Sequence, residues 1–243
     1  MEKDYSEPMS TEVMRTCKIG VTGTIGSGKS LVGRILAEQN IPVLDVDDVV
    51  HNLLDTSKEV QTAIAKRFGD DVLMDDGSGS NGKRVDRARL GKIVFHDEND
   101  RRDLEKIVHP AVLQYSEQWI EEEGSPIAAV LIPLLFESGN PKRFAQVWSV
   151  SCHESILRAR LKERSKLSSA EIDKRLAAQM SQEEKASLAD CVIDNSGTVD
   201  ETRRQVLSLL IEVQQTIGLP VIDPRHIVGP ACSEDKTQTL QDA

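Results

Sequence analysis

Short aliphatic runs alternate along this chain with longer segments whose apolar residues recur at helical spacing. CKIGV, from Cys17, reads as a strand. KSLVGRILAEQ follows within a few residues and spaces Leu31, Val32, Ile35 and Leu36 to bury one side of a helix. IPVLDVD is a second strand ending in acids, and VVHNLL after it has helical character. EVQTAIAKRFG is an amphipathic helix stopped by Gly69. Asp75 to Asp86, DDGSGSNGKRVD, reads as a flexible surface turn. Helices then run to Gly124, with breaks expected near Asp97 and Pro110.

IAAVLI and FAQVWSVSC are further strands. The segment from His153 to Asp190 is charged and helical, with a break at KLSS and Ser169 as the candidate cap of the next helix. CVIDNSG is a last strand and turn, and VDETRRQVLSLLIEVQQTIG a last helix. This alternation predicts an α/β fold: a parallel sheet with helices on both faces, three layers deep.

The expected organisation is a loose leader over 1–15, one domain over 16–225 and a flexible tail over 226–243. Within the domain, 16–54, 124–153 and 186–220 form the core. A helical lobe over about 55–123 is inserted beside the sheet, and 154–185 forms a helical lid.

Composition narrows the class. The 243 residues suffice for one well-cored domain, and with 39% hydrophobic but only 3% aromatic residues that core must be aliphatic. The net charge of −10 argues against a general nucleic-acid or acidic-membrane surface, so an anionic substrate needs a local cluster of Arg and Lys. Cys17, Cys152, Cys191 and Cys232 match no common zinc spacing and read as buried free thiols, which fits a cytoplasmic protein. The acidic start carries no signal peptide, and IAAVLIPLLF is too short to span a bilayer. A monomer is the expected state.

The chemistry concentrates in GVTGTIGSGKSL. Gly23, Gly28, Lys29 and Ser30 satisfy G-x-x-x-x-G-K-[ST], with a strand before and a helix after. Glycines let backbone N–H groups turn inward around phosphate oxygens, and the helix adds unsatisfied N–H groups at its start. Lys29 reaches the β and γ phosphates of a nucleotide, and Ser30 ligates magnesium through its hydroxyl. Thr24, Ile25, Gly26, Ser27 and Leu31 complete the loop. The motif fixes a nucleotide, not a reaction. No N-K-x-D segment supports a regulatory GTPase, and no aliphatic strand ends in a Walker B aspartate.

Asp45 and Asp47 close the second strand, the end that faces the ligand crevice in such sheets. If the strand persists they point to opposite sides, and Asp47 is the one nearer the crevice. It can orient or deprotonate an attacking hydroxyl, or hold a water on magnesium. Equally, Asp47 or Asp48 can cap the helix that follows. Arg160 and Arg164 share one helical face in the lid segment, where one can cover the phosphates on closure or both can simply be solvated. Arg87 and His109 lie in the inserted lobe, the natural place for an acceptor. His51, His96 and His153 have no metal partner at useful spacing, and Gln179 reads as amphipathic filler.

Taken together these residues resemble the dephospho-coenzyme A kinase family, from about Lys18 to Leu210. The family's TGGIGSGKST is TGTIGSGKSL here, and its D-A-D is Asp45, Val46, Asp47. Asp86, Arg87, Leu90, Val94 and Phe95 match its next segment, followed by His109–Pro110 and by Pro133, Leu134, Leu135 and Glu137. Arg160 with Arg164, Arg175 with Gln179, and Ala189 to Gly197 follow, so that seven segments in order succeed the glycine-rich loop.

The resemblance implies transfer of the ATP γ-phosphate to the ribose 3′-hydroxyl of dephospho-coenzyme A, with Mg2+. It implies Asp47 as base, Lys29 and Ser30 as phosphate and magnesium groups, Arg160 and Arg164 as lid arginines, and Thr24, Arg87 and His109 near the acceptor. Two departures stand out. Thr24 adds a Cβ where the family pattern has glycine, and Leu31 removes a hydroxyl beside the phosphates, which predicts weaker nucleotide binding. The rival readings are a kinase for another small acceptor and a nucleotide-gated regulator that transfers nothing.

Overall fold

A computed structural model describes residues 16–75, 77, 82–165 and 168–221. The side chains of residues 95, 96, 164 and 165 lie outside the description, as do the leader and the whole tail with Cys232.

The main sheet has five parallel strands: β1 (Cys17–Thr22), β2 (Val43–Asp45), β5 (Ile127–Leu131), β6 (Gln146–Ser151) and β7 (Cys191–Asp194). Their order is β2-β5-β1-β6-β7, so β1 is central. The two intervening strands, β3 (Leu73–Asp75) and β4 (Lys83–Val85), pair antiparallel in a separate hairpin.

Strand periodicity divides the core. Ile19 and Val21 of β1, with Ile127, Ala129 and Leu131 of β5, face α1 (Lys29–Glu38) and α9 (Val199–Thr216). There they meet Val32, Ile35 and Leu36 of α1 and Val206, Leu207 and Leu210 of α9. Ala128 and Val130 of β5 face the other way, toward the lobe of α2 (Val46–Thr56), α3 (Lys58–Phe68), α4 (Arg87–His96) and α5 (Glu98–Glu123). The lobe contributes Val49, Ile64, Leu90, Val108, Val112 and Ile120. The expected three layers and helical lobe are therefore present.

Several details differ from expectation. Pro110 does not end a helix: α5 runs continuously through it over 26 residues. Buried Val108 and Val112 flank the proline, and their packing carries the helix across the lost backbone bond. The break at Asp97 is real, because its side chain caps α5 by accepting from the Asn99 and Asp100 N–H groups. The surface turn includes β4, missed because its three residues, Lys83, Arg84 and Val85, carry too little apolar alternation to mark a strand.

The charged segment divides into three helices, α6 (Glu154–Ser165), α7 (Ser169–Ala177) and α8 (Gln182–Leu188). Ser168, not Ser169, caps α7, because Ser168 completes a reciprocal capping box with Glu171. Ser181 and Glu184 repeat that box at α8. Of the thiols, Cys152 is buried while Cys17 and Cys191 are only half-buried, and all three are free. Among the described residues no helix is long and apolar enough to cross a membrane.

Candidate active site

The glycine-rich loop leaves the end of central β1, the point from which the chain passes to opposite sides of the sheet. Gly23 has φ +148°, and a Cβ there would lie 2.4 Å from the Val150 carbonyl oxygen. Gly28 has φ +109°, and a Cβ would lie 1.8 Å from Nδ2 of Asn195. Both positions require glycine on two counts, backbone conformation and close approach. Gly28 is also the N-cap of α1, which has no side-chain cap and no acid in its first turn. The positive end of this helix is thus left for an anion.

Lys29 bends back over the loop. Its Nζ donates to the carbonyls of Gly23 at 2.8 Å and Thr24 at 3.2 Å. Burial, joined by the Lys185 charge, lowers its pKa to about 8, against the opposing pull of Asp47 foremost and then Asp45 and Glu137. Ser30 is exposed on the first turn of α1.

Asp47 is not at a strand end. β2 stops at Asp45, whose Oδ1 accepts the Asp47 N–H at 3.0 Å and so caps α2. Asp47 stands in the first turn of α2, exposed and beside the cleft. The cap is therefore Asp45, neither Asp47 nor Asp48. Burial raises the pKa of Asp45, and the neighbouring Asp47 and Asp48 charges add to the rise.

A single large cleft, about 1930 Å³, joins the loop to the lobe. Ile25, Gly26, Gly28, Lys29, Ser30 and Leu31 line it at one end. Asp47, His109 and Arg160 line it too. His109 Nε2 lies 3.1 Å from Nδ2 of Asn140. Arg87, by contrast, is exposed at the start of α4 and is not among the described lining residues. Thr24 and Ser27 are buried below the loop surface, and neither hydroxyl has a hydrogen-bond partner among the described residues. Arg164 falls in the last turn of α6, with its side chain outside the description.

The α6–α7 pair closes over the loop. Leu157, Leu161, Ile172 and Cys152 form a small core that also takes in Ile25. A Cβ on Gly26 would come within 3.1 Å of Leu161. Arg160 donates to the carbonyls of Ser27 at 3.4 Å and Asn195 at 3.1 Å. Gln179, read from sequence as filler, accepts the Ile25 N–H at 3.1 Å.

Sequence reasoning did not single out Arg34, Arg101, Arg102 and Lys106, which line the cleft, the last three already paired with Glu98, Glu105 and Asp103 of their own helix. For Arg34 a signal existed, since it stands four residues after Ser30 and so on the same helical face.

A model of the dephospho-CoA kinase family matches residues 17–201, most of the chain. The chain belongs to the dephospho-CoA kinase family. Among curated relatives, the dephospho-CoA kinase of Symbiobacterium thermophilum is 44% identical over 191 residues, 77% of each chain. That of Shouchella clausii is 41% identical over 196 residues, covering 79% of this chain and 96% of the relative. Among solved structures, TT1252 from Thermus thermophilus has a TM-score of 0.70 at 32% identity, over 82% of this chain and 97% of that one. Dephospho-CoA kinase from Campylobacter jejuni has a TM-score of 0.60 at 27% identity, over 82% and 98%. The parallel sheet, glycine-rich loop and helical lobes are those of a P-loop kinase, and this family assignment carries ATP and magnesium with it.

Proposed function

We propose that this protein phosphorylates the ribose 3′-hydroxyl of dephospho-coenzyme A with ATP, yielding coenzyme A and ADP, the last step of coenzyme A synthesis. The observation that carries the reading is the continuity of one cleft from Lys29 and Ser30 past Asp47 to His109, in a chain of this family. Donor and acceptor can then meet without leaving a protected space.

Each residue has a task. The loop N–H groups and Lys29 hold the β and γ phosphates, for which Lys29 must exchange its two loop carbonyls for phosphate oxygens. The donor set fits magnesium: Ser30 offers a hydroxyl, and the acidic Asp45 and Asp47 border the cleft. No cluster of three or more acidic, His or Cys side chains among the described residues would hold the ion without the nucleotide. When bound, magnesium offsets charge on the transferring phosphoryl group. Asp47 is exposed and stands across from Lys29, so it can accept the proton of the acceptor hydroxyl as the O–P bond forms. Arg160 and Arg164 offset the developing charge from the α6 side. His109 and Arg87 serve the acceptor lobe, His109 from within the cleft and Arg87 from its own exposed helix start.

The test is incubation with magnesium-ATP and dephospho-coenzyme A, following the acceptor by mass spectrometry, with adenosine, AMP and CMP as parallel acceptors. A gain of one phosphoryl group on dephospho-coenzyme A alone is expected. Gain only on another acceptor would transfer the reading to a different small-molecule kinase. ATP binding with no gain on any acceptor would favour a nucleotide-gated regulator.

A further inference from the structure

Lys185, on α8, is completely buried, and its charge adds to the lowering of the Lys29 pKa although it has no role in the transfer above. Its Nζ donates to Oε1 and Oε2 of Glu137 at 2.7 and 2.8 Å, and to the Pro133 carbonyl at 2.8 Å. All three ammonium hydrogens are thereby used. Oε1 of Glu137 also accepts the Met180 N–H at 3.0 Å. The Pro133 carbonyl also accepts from Oγ1 of Thr22 at 3.3 Å.

The two ends of this network arrive at the phosphate loop. Thr22 immediately precedes Gly23. Met180 immediately follows Gln179, which holds the Ile25 N–H. A third tie fixes the start of α8, where the side-chain amide of Gln182 both accepts from and donates to the backbone of Cys152 at 2.9 Å. The turn between α7 and α8 is therefore pinned on three sides, with Gln179 at its tip facing the cleft. Stability alone does not account for the charges, because a buried ion pair is commonly matched or exceeded by apolar residues of similar size. An ion pair does fix a geometry that apolar contacts leave free.

We propose that Lys185 and Glu137 form a positioning pair that holds Gln179 against the phosphate loop and so sets nucleotide affinity. Lys185 has no surface with which to touch a nucleotide, and it acts through Gln179. The inference rests on the nucleotide half of the proposed function and not on the identity of the acceptor.

The test is calorimetric titration of magnesium-AMP-PNP, with no acceptor present, into the wild type and four variants. These are Gln179→Ala, Lys185→Met, their double variant, and the apolar pair Lys185→Met with Glu137→Leu. Melting temperatures are recorded alongside. Gln179→Ala and Lys185→Met are each expected to weaken binding about tenfold, the size of one lost neutral hydrogen bond at the upper end of its range. The double variant is expected to bind no more weakly than the weaker single one, because both changes remove the same contact. The apolar pair is expected to regain the wild-type melting temperature while remaining about tenfold weaker in binding. Additive losses in the double variant, wild-type affinity in Lys185→Met, or recovery of both stability and affinity in the apolar pair would each overturn the proposal. If Lys185→Met does not fold, the apolar pair decides by itself. Failure of the acceptor reading would appear separately, as no phosphoryl gain on dephospho-coenzyme A with nucleotide affinities unchanged.

Discussion

Nδ2 of Asn195 donates to the carbonyl of Ser27 at 2.7 Å, joining the end of β7 to the phosphate loop across 168 residues of sequence. Its Oδ1 accepts from Oγ1 of Thr202 at 2.9 Å, and its backbone carbonyl accepts from Arg160. One buried amide thus braces the loop from below while Arg160 braces it from the side. Asn195→Ala leaves the Thr202 hydroxyl only its 3.3 Å bond to the Thr198 carbonyl, leaves the Ser27 carbonyl only the 3.4 Å bond from Arg160, and opens space under Gly28. The expected cost is about 2 kcal/mol of stability, read as a fall in denaturation midpoint. The KM for ATP should rise several-fold, since the loop loses a fixed point. Unchanged values of both would show that the brace is idle.

Asp47 makes a different prediction because it is exposed and carries little of the fold. Asp47→Asn should leave the denaturation midpoint close to wild type and lower kcat by about 10²–10⁴-fold, the usual range for a lost general base. Asp45→Ala should do nearly the reverse. Losing the cap of α2 costs about 1 kcal/mol, and kcat should fall less than in Asp47→Asn. Full kcat in Asp47→Asn would remove it from the mechanism.

How far the sequence carried this picture depends on whether a signal was local. Strands with continuous aliphatic runs and helices with one apolar stripe were legible, because burial imposes those periods on neighbouring residues. The glycine-rich loop was legible because its conformation demands residue types at fixed spacing. For Asp47 the sequence suggests a strand end with alternating side chains, whereas Asp45 turns the chain into α2 one residue later and Asp47 borders the cleft from that helix's first turn. Lys185 could not be found at all. In EEKASLAD it looks like any solvated lysine, and its burial comes from Glu137 and Pro133, some fifty positions away. Gln179 and Asn195 were visible only through family resemblance, since both act on loop backbone atoms far along the chain.

The two departures in the glycine-rich loop separate in the structure. Thr24 is buried, and its hydroxyl lacks a hydrogen-bond partner among the described residues. Thr24→Val keeps the shape and removes the hydroxyl, so the protein should be about 1 kcal/mol more stable, with the KM of the acceptor unchanged. A rise in acceptor KM would restore Thr24 to the acceptor site. Leu31 is half-buried, packs on the core and also borders the cleft. Leu31→Thr should therefore lower the KM for ATP a few-fold while costing about 1 kcal/mol in lost apolar burial. An unchanged KM would mean that the hydroxyl is not missed.

The depressed pKa of Lys29 fixes the sign of a pH effect. Its value falls from the ordinary 10.5 to about 8 because burial and the Lys185 charge disfavour the ammonium more than Asp47, Asp45 and Glu137 restore it. Between those two values the unfolded chain binds more protons than the folded one, so this residue's drain on stability eases as pH rises through about 8. Phosphate binding runs the opposite way, because it needs the ammonium. In the free enzyme kcat/KM for ATP should therefore decline above pH about 8, approaching tenfold per pH unit. Once nucleotide is bound, the phosphates hold Lys29 in its charged form, and kcat should stay level to higher pH. Lys29→Met should have low activity and no break near that pH. A wild-type kcat/KM that stays flat through roughly pH 9.5 would mean that Lys29 keeps its ordinary basicity, and an identical alkaline limb in Lys29→Met would assign the titration to another group.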